Sequence, residues 1–176
     1  DYAKYDLLLE FVAKNISYSE PRPLFPQWTS LLMLTENDET SEGKIKNFPV
    51  GSRNPNLHSF LSKYIKSESF LVKYLRSLAS EIGAEFQYNP YNDDSFFTND
   101  LREQYFINIP IPILDNALIF CDPDIGIETG TKNYMKTKGL DKYIFWDELR
   151  SLVSRATSGS GLVVYQHLQF NKNKHS

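Results

Sequence analysis

The stretch ALIFCDPDIGIETG, Ala117 to Gly130, decides how the chain is read. Its apolar run, Ala117 to Cys121, is too short for a helix and reads as a buried strand. The run passes straight into Asp122-Pro123-Asp124, followed by Gly126 and Glu128. Proline fixes its own φ and keeps the residue before it extended, so the turn after this strand is stiff. Gly126 permits a tight backbone and close approach by a ligand. Short apolar strands alternating with helices form mostly parallel sheets covered on both faces. In such sheets ligands bind beyond the carboxyl ends of the strands, so two carboxylates on a stiff turn mark the first place to look for a site.

Working outward, Ser30 to Leu34 (SLLML) reads as another buried strand, emptying into the acid-rich loop TENDETSEG, Thr35 to Gly43. Gly161 to His167 (GLVVYQH) reads as a third, with β-branched residues at its centre. The tips TEND, DPD and YQH should therefore gather on one sheet edge. Tyr2 to Lys14 places Tyr5, Leu8, Leu9, Val12 and Ala13 on one face of an amphipathic helix. Pro55 to Gly83 is helical in pattern, with Gly83 as its stop. Ala84 to Tyr88 reads as a short strand, and the polar segment at about 89–105 as a flexible excursion. The prolines of NIPIPI, Asn108 to Ile113, impose extended chain. Trp146 to Arg155 is a helix and Ser158 to Gly161 a turn. With no repeat and no domain break, residues 1–176 form a single α/β domain, Rossmann-like and three-layered, with a mostly parallel sheet.

The composition, 41% hydrophobic and 23% charged, is that of an ordinary globular domain. A net charge of −3 excludes a global pull toward nucleic acid, so such a partner needs a local basic patch. The lysines of Lys132 to Lys142 and of the tail, Asn171 to Ser176, are the local clusters, and solvated surface accounts for both. The single cysteine, Cys121, excludes an internal disulfide and reads as a buried, inert thiol. Without a spanning apolar run or a signal-peptide pattern, no membrane association is expected and a cytoplasmic location is. The chain opens on Asp1 rather than Met, so a short preceding piece is expected.

Several residues suit chemistry at the proposed edge. Asp122 and Asp124 offer hard oxygen ligands for Mg²⁺ or Mn²⁺. Alternatively, one acid and the Pro123 carbonyl accept hydrogen bonds from an amino group, or the acids merely cap a following helix. Thr35, Glu36, Asp38 and Glu42 follow the first strand, as solvated loop or as ligand contacts. His167 suits a general base, a metal ligand or a phosphate contact, and equally a histidine bonded at a strand end. Asp147 and Glu148 are explained by capping, and His58 and His175 are structural or incidental. No GxGxxG, GxxxxGK[ST] or GxSxG pattern is present, and ETGTKNY lacks P-loop spacing.

The motifs DPDIGIE (Asp122 to Glu128), KYIFWDEL (Lys142 to Leu149) and YQH (Tyr165 to His167), with the opening Asp1-Tyr2, Lys4-Tyr5 and Leu7-Leu8 and with Leu34-Thr35 and Asp38, resemble an uncharacterised family of small bacterial proteins. That family carries Asn where this chain has Ile125, and Asp-Gly where it has Glu42-Gly43. More distantly, the chain resembles Rossmann-type ribosomal-RNA adenine methyltransferases, whose fourth strand ends in an Asp-Pro-Pro-Tyr motif that receives the target amine. The resemblance implies a methyltransferase-like enzyme, or a degenerate descendant, that uses S-adenosylmethionine on nucleic acid or a nucleotide. Asp122 and the Pro123 carbonyl then orient the amine, and Thr35 and Asp38 lie near the cofactor. TENDETSEG stands where those enzymes have a glycine-rich loop.

Two further readings stand beside it. In a divalent-metal nuclease or phosphodiesterase, Asp122, Asp124 and Asp38 hold the metal, Glu128 or His167 activates water, and Lys132 or Lys142 contacts phosphate. In the other, a binding or regulatory protein keeps the fold without chemistry. The enzymatic readings require Asp38, Asp122 and His167 to line one cleft, with Asp122 an unpaired charge facing it and Asp124 satisfying backbone N–H groups of the turn. Leu31, Leu32, Met33, Leu118, Ile119, Phe120, Leu162, Val163 and Val164 should be the little-exposed centre of the sheet.

Overall fold

The computed structural model describes residues 2–12, 24–36, 54–64, 72–129 and 132–167. In chain order these form α1 (Tyr2–Val12), β1 (Gln27–Leu32), α2 (Pro55–Tyr64), α3 (Val72–Leu75), α4 (Leu78–Glu81), β2 (Gln87–Tyr91), α5 (Arg102–Ile107), β3 (Ala117–Asp122), β4 (Gly126–Ile127), α6 (Lys132–Lys138), β5 (Tyr143–Ile144), α7 (Trp146–Arg155) and β6 (Gly161–Val164). Three short 3₁₀ turns lie at Asn99–Leu101, Ile111–Ile113 and Leu140–Lys142.

Four strands form a wholly parallel sheet in the order β2-β1-β3-β6. Parallel partners share a face, so the register sorts side chains into two sets. Trp28, Tyr88, Leu118, Phe120 and Val163 look one way, into a core completed by Tyr5, Leu8, Leu9 and Val12 of α1, Leu57, Phe60 and Leu61 of α2, and Leu75 and Leu78. Leu31, Ala117, Ile119, Cys121, Leu162 and Val164 look the other way, onto Tyr105 and Phe106 of α5 and Leu149 and Leu152 of α7. Helices thus cover both faces, the arrangement that parallel strands require. Cys121 is fully buried, and burial pushes its thiol pKa up, so it is a core residue and not a nucleophile.

The central strands match the expected burial: Leu31, Leu32, Met33, Leu118, Ile119 and Phe120 are all 3% exposed or less. Leu162, Val163 and Val164 are only half-buried, a correction with a plain cause, since β6 is an edge strand with a partner on one side. The expected first strand is displaced toward the N-terminus, because Trp28 and Thr29 pair within β1 while Met33 and Leu34 lie beyond it. The expected strand at Ala84 to Tyr88 moves the other way, to Gln87–Tyr91. It carries Asn89 and Pro90 on an edge strand, where a missing N–H is tolerated. Of the excursion at about 89–105, the first residues belong to β2, Phe97 is buried, and α5 begins at Arg102. In NIPIPI, Pro110 is extended but Ile111–Ile113 close into a 3₁₀ turn.

The described residues of the helical stretch after Pro55 form α2, α3 and α4, and Gly83 ends it with φ of +70°. The carbonyls at the C-terminus of α5 and just beyond it, on Phe106, Ile107 and Ile109, are met by the Arg155 guanidinium from the end of α7. No helix among the described residues is long and apolar enough to cross a membrane.

Candidate functional site

The carboxyl ends of the four parallel strands share one edge, and there the quoted motifs meet. β3 ends at Asp122 beside β6, whose chain continues through Tyr165, Gln166 and His167. The Tyr165 N–H donates to the Cys121 carbonyl at 2.9 Å, and the His167 N–H to the Ile125 carbonyl at 2.8 Å. Asp122 and the YQH tip thus lie side by side, as expected, with the His167 side chain toward solvent. Asp38, the third group required of the cleft, lies outside the described residues, as do Glu42 and His175. Thr35 is half-buried and Glu36 exposed just beyond β1, where the chain climbs out of the core after buried Met33.

Asp122 is not an unpaired charge. Both its oxygens lie 2.9 Å from the Lys4 ammonium, which α1 lowers onto the strand tip. The Tyr165 ring lies 4.7 Å from the same ammonium, with Tyr5 and Phe120 each at 5.7 Å. The pair is largely shielded, with side-chain exposures of 14% and 19%, so each charge depends on the other. The sequence marks Lys4 as part of the opening motif but gives it no role, because its partner is 118 residues away.

The second acid also differs from expectation. Asp124 faces Lys142 at 3.2 Å, a side-chain pair rather than a cap on the turn's N–H groups. The turn is closed instead by backbone: Ile125 donates to the Lys142 carbonyl at 2.9 Å, and β4 runs parallel to β5, a two-stranded ribbon that alternation is too short to announce. Gly126 is required here. Its φ is +140°, and a Cβ would stand 2.5 Å from the Gln166 carboxamide. That carboxamide accepts from the Ile127 N–H at 2.8 Å and donates to the His167 carbonyl at 3.2 Å, stapling the two motifs together.

Glu128 reaches the first turn of α7, accepting the Trp146 N–H at 2.8 Å. Glu148 accepts the Phe145 N–H at 2.7 Å, completing the helix start as its position suggests. It is also gripped by Arg102 at 2.6 and 2.8 Å, while the other arm of that guanidinium meets the carbonyls of Leu140 and Tyr143. Arg102 lies 3.9 Å from the Phe145 ring and is itself buried. Burial raises the Glu148 carboxyl pKa more than the Arg102 and Phe145 hydrogen bonds lower it. Asp147 is exposed and pairs with Arg150 within its own helix.

DPDIGIE, KYIFWDEL, YQH and the Lys4-Tyr5 opening therefore form one cross-braced unit. Among the described residues, no three of His, Cys, Asp and Glu come together in a group able to hold a metal ion. Asp93, which the sequence reading passed over, stands just after β2 on the same edge, with one oxygen taken by Arg76 and the other buried without a partner. Comparison with family models, with curated proteins and with solved structures finds no match to this chain.

Proposed function

We propose that the chain is a methyltransferase-like enzyme, or a descendant of one, with a Rossmann-like fold, acting on nucleic acid or a nucleotide. One observation carries the reading. β1 lies between β2 and β3, so the chain winds outward from β1 first to one side and then to the other. The crevice outside the carboxyl ends at such a switch point is where doubly wound sheets take their ligands. β1 and β3, which flank it, end in Thr35-Glu36 and in the DPD turn.

The residues at hand suit a nucleoside-bearing cofactor in a particular way. Without a glycine-rich loop, contact falls to side chains and backbone where the chain leaves the core at Thr35, with Asp38 three residues further on for ribose hydroxyls. S-adenosylmethionine, when bound, supplies the methyl group. The Pro123 carbonyl is the acceptor that orients a target amine, because the Asp122 carboxylate is already held by Lys4 and acts through the stiffness of the turn. Asp124 and Glu128 brace that turn, and His167 borders the edge from β6.

The test is thermal shift with S-adenosylmethionine, S-adenosylhomocysteine and Mn²⁺. A ligand at a hundred times its dissociation constant stabilises by about 2.7 kcal/mol, well within detection. Stabilisation by the first two but not by Mn²⁺ supports the reading. Stabilisation by Mn²⁺ alone replaces it with metal-dependent phosphodiester hydrolysis, and no response to any of them with a non-catalytic binding protein.

A further inference from the structure

One carboxylate and three aromatic rings converge on a single nitrogen at the tip of β3. The Lys4 ammonium lies 2.9 Å from each Asp122 oxygen, 4.7 Å from the centre of the Tyr165 ring and 5.7 Å from those of Phe120 and Tyr5. Asp122, Phe120 and Tyr165 belong to the sheet side of this box, not to the helix that brings the lysine. Phe120 and Asp122 alternate onto the same face of β3. Val163, opposite Phe120, sets the same parity for Tyr165, whose N–H donates to the Cys121 carbonyl at 2.9 Å. The sheet register therefore builds most of the box, while α1 is seated separately, through buried Leu8, Leu9 and Val12. A flexible four-carbon stem carries the ammonium from helix to box, so the ammonium can leave without the helix undocking. The neighbouring pair on the same turn is plainer: Lys142 meets Asp124 at 3.2 Å, and the Asp124 side chain is 44% exposed.

We propose that this box is a binding site for a primary alkylammonium group, filled at rest by the chain's own Lys4, whose place the ammonium of a small unbranched aliphatic amine takes. The lining selects that class. The two carboxylate oxygens each accept an N–H of the ammonium, and the ring faces stabilise its positive charge. A quaternary ammonium has no N–H to give Asp122. A hard divalent cation needs a shell of oxygen ligands, which ring faces do not provide. An anion meets the Asp122 charge. The stem of Lys4 is itself an unbranched alkyl chain, and it sets the shape that fits. Because Lys4 competes from within the same molecule, it lowers the apparent affinity for an external amine by the fraction of time the box is free. The inference does not rest on the methyltransferase-like reading, since it invokes neither a cofactor nor methyl transfer.

The test is thermal shift with n-propylammonium chloride, whose cation matches the fragment that Lys4→Ala removes, against NaCl at equal ionic strength. The Tm of Lys4→Ala is expected to rise by roughly 3–6 °C at ten times the dissociation constant. Tetramethylammonium should do less, having no N–H to donate. The unaltered protein should need about ten-fold more propylammonium for the same shift, and Lys4→Ala combined with Asp122→Asn should not respond. If Lys4→Ala is unfolded in buffer, the readout is recovery of its far-UV circular dichroism by propylammonium but not by NaCl. No stabilisation of Lys4→Ala beyond the NaCl control, in either readout, overturns the proposal. So does an equal shift in the unaltered protein or in the double variant, because the amine then binds elsewhere.

Discussion

The two halves of the sheet are built on opposite terms. On the β3–β6 side, Asp122, Asp124, Glu128, Gln166 and Glu148 are each tied to a named partner across the fold. On the β1–β2 side, Trp28 Nε1 and Asp93 Oδ2 are buried without one. The motif-rich half is bracing and the motif-poor half is where partners are missing. Striking sequence motifs and open chemical capacity are therefore not in the same place. A carboxylate already paired in a shielded setting is held by its partner, whereas an unsatisfied buried group gains from whatever ligand completes it.

The largest effect expected from breaking the braced half is at Arg102. Arg102→Met strands the buried Glu148 carboxylate and should lower unfolding free energy by about 3–5 kcal/mol in chemical denaturation. Adding Glu148→Leu should recover much of that, because no charge is then left uncompensated. Recovery absent in the double variant would show that the guanidinium's bonds to the Leu140 and Tyr143 carbonyls carry the stability instead.

Next comes the Lys4–Asp122 pair. Lys4→Met should cost about 2–4 kcal/mol and Asp122→Asn somewhat less, since the amide still accepts one hydrogen bond. Both should fall well short of their single-variant sum when combined, which a double-mutant cycle reads directly. Additive losses would mean that α1 docks through Tyr5, Leu8 and Leu9 alone. Gly126→Ala follows, at about 1–3 kcal/mol, for a residue forced to φ of +140° against Gln166. Gln166→Ala in the same chain should relieve the collision but not the backbone strain, so only part of the loss should return.

The smallest effect sharpens the contrast from outside both halves. Lys63, Tyr64 and Ser77 hold the Glu81 carboxyl down at about 2, below its ordinary value. Its folded-state pKa is depressed, so its contribution is present above the unfolded value near 4.5 and lost as pH falls toward about 2. Glu148 has the opposite sign: its pKa is raised, so its contribution wanes as pH rises through and above the ordinary carboxyl range. Side-chain carbonyl shifts in an NMR pH titration separate the two, with Glu81 titrating at the lower pH. The exposed setting of Glu81 keeps its stability effect small.

How much was legible follows local physics closely. A run of five apolar residues bounded by a proline turn is unambiguous, and β3 starts where the sequence says. α7 begins at Trp146 and ends at Arg155, as read, because its apolar period and its acidic first turn agree. β1 and β2 slipped because Pro26 and Pro90 resemble loop markers, although one precedes the strand and the other sits on an edge strand. The β4–β5 ribbon, two residues a side, carries no period at all. Of the site, the sequence could point to the sheet edge and to the adjacency of DPD and YQH.

By itself, then, the sequence determined the class of fold, a parallel sheet with helices on both faces, because periodicity and burial are local properties of the chain. It also determined that Cys121 is core and that the three strand tips are polar. Only the tertiary structure decided that Asp122 belongs to Lys4, Asp124 to Lys142, Glu148 to Arg102 and Asp93 to Arg76. The physical reason is that a carboxylate's role depends on which charges and N–H groups lie within a few ångströms, and those arrive from residues far away in the chain.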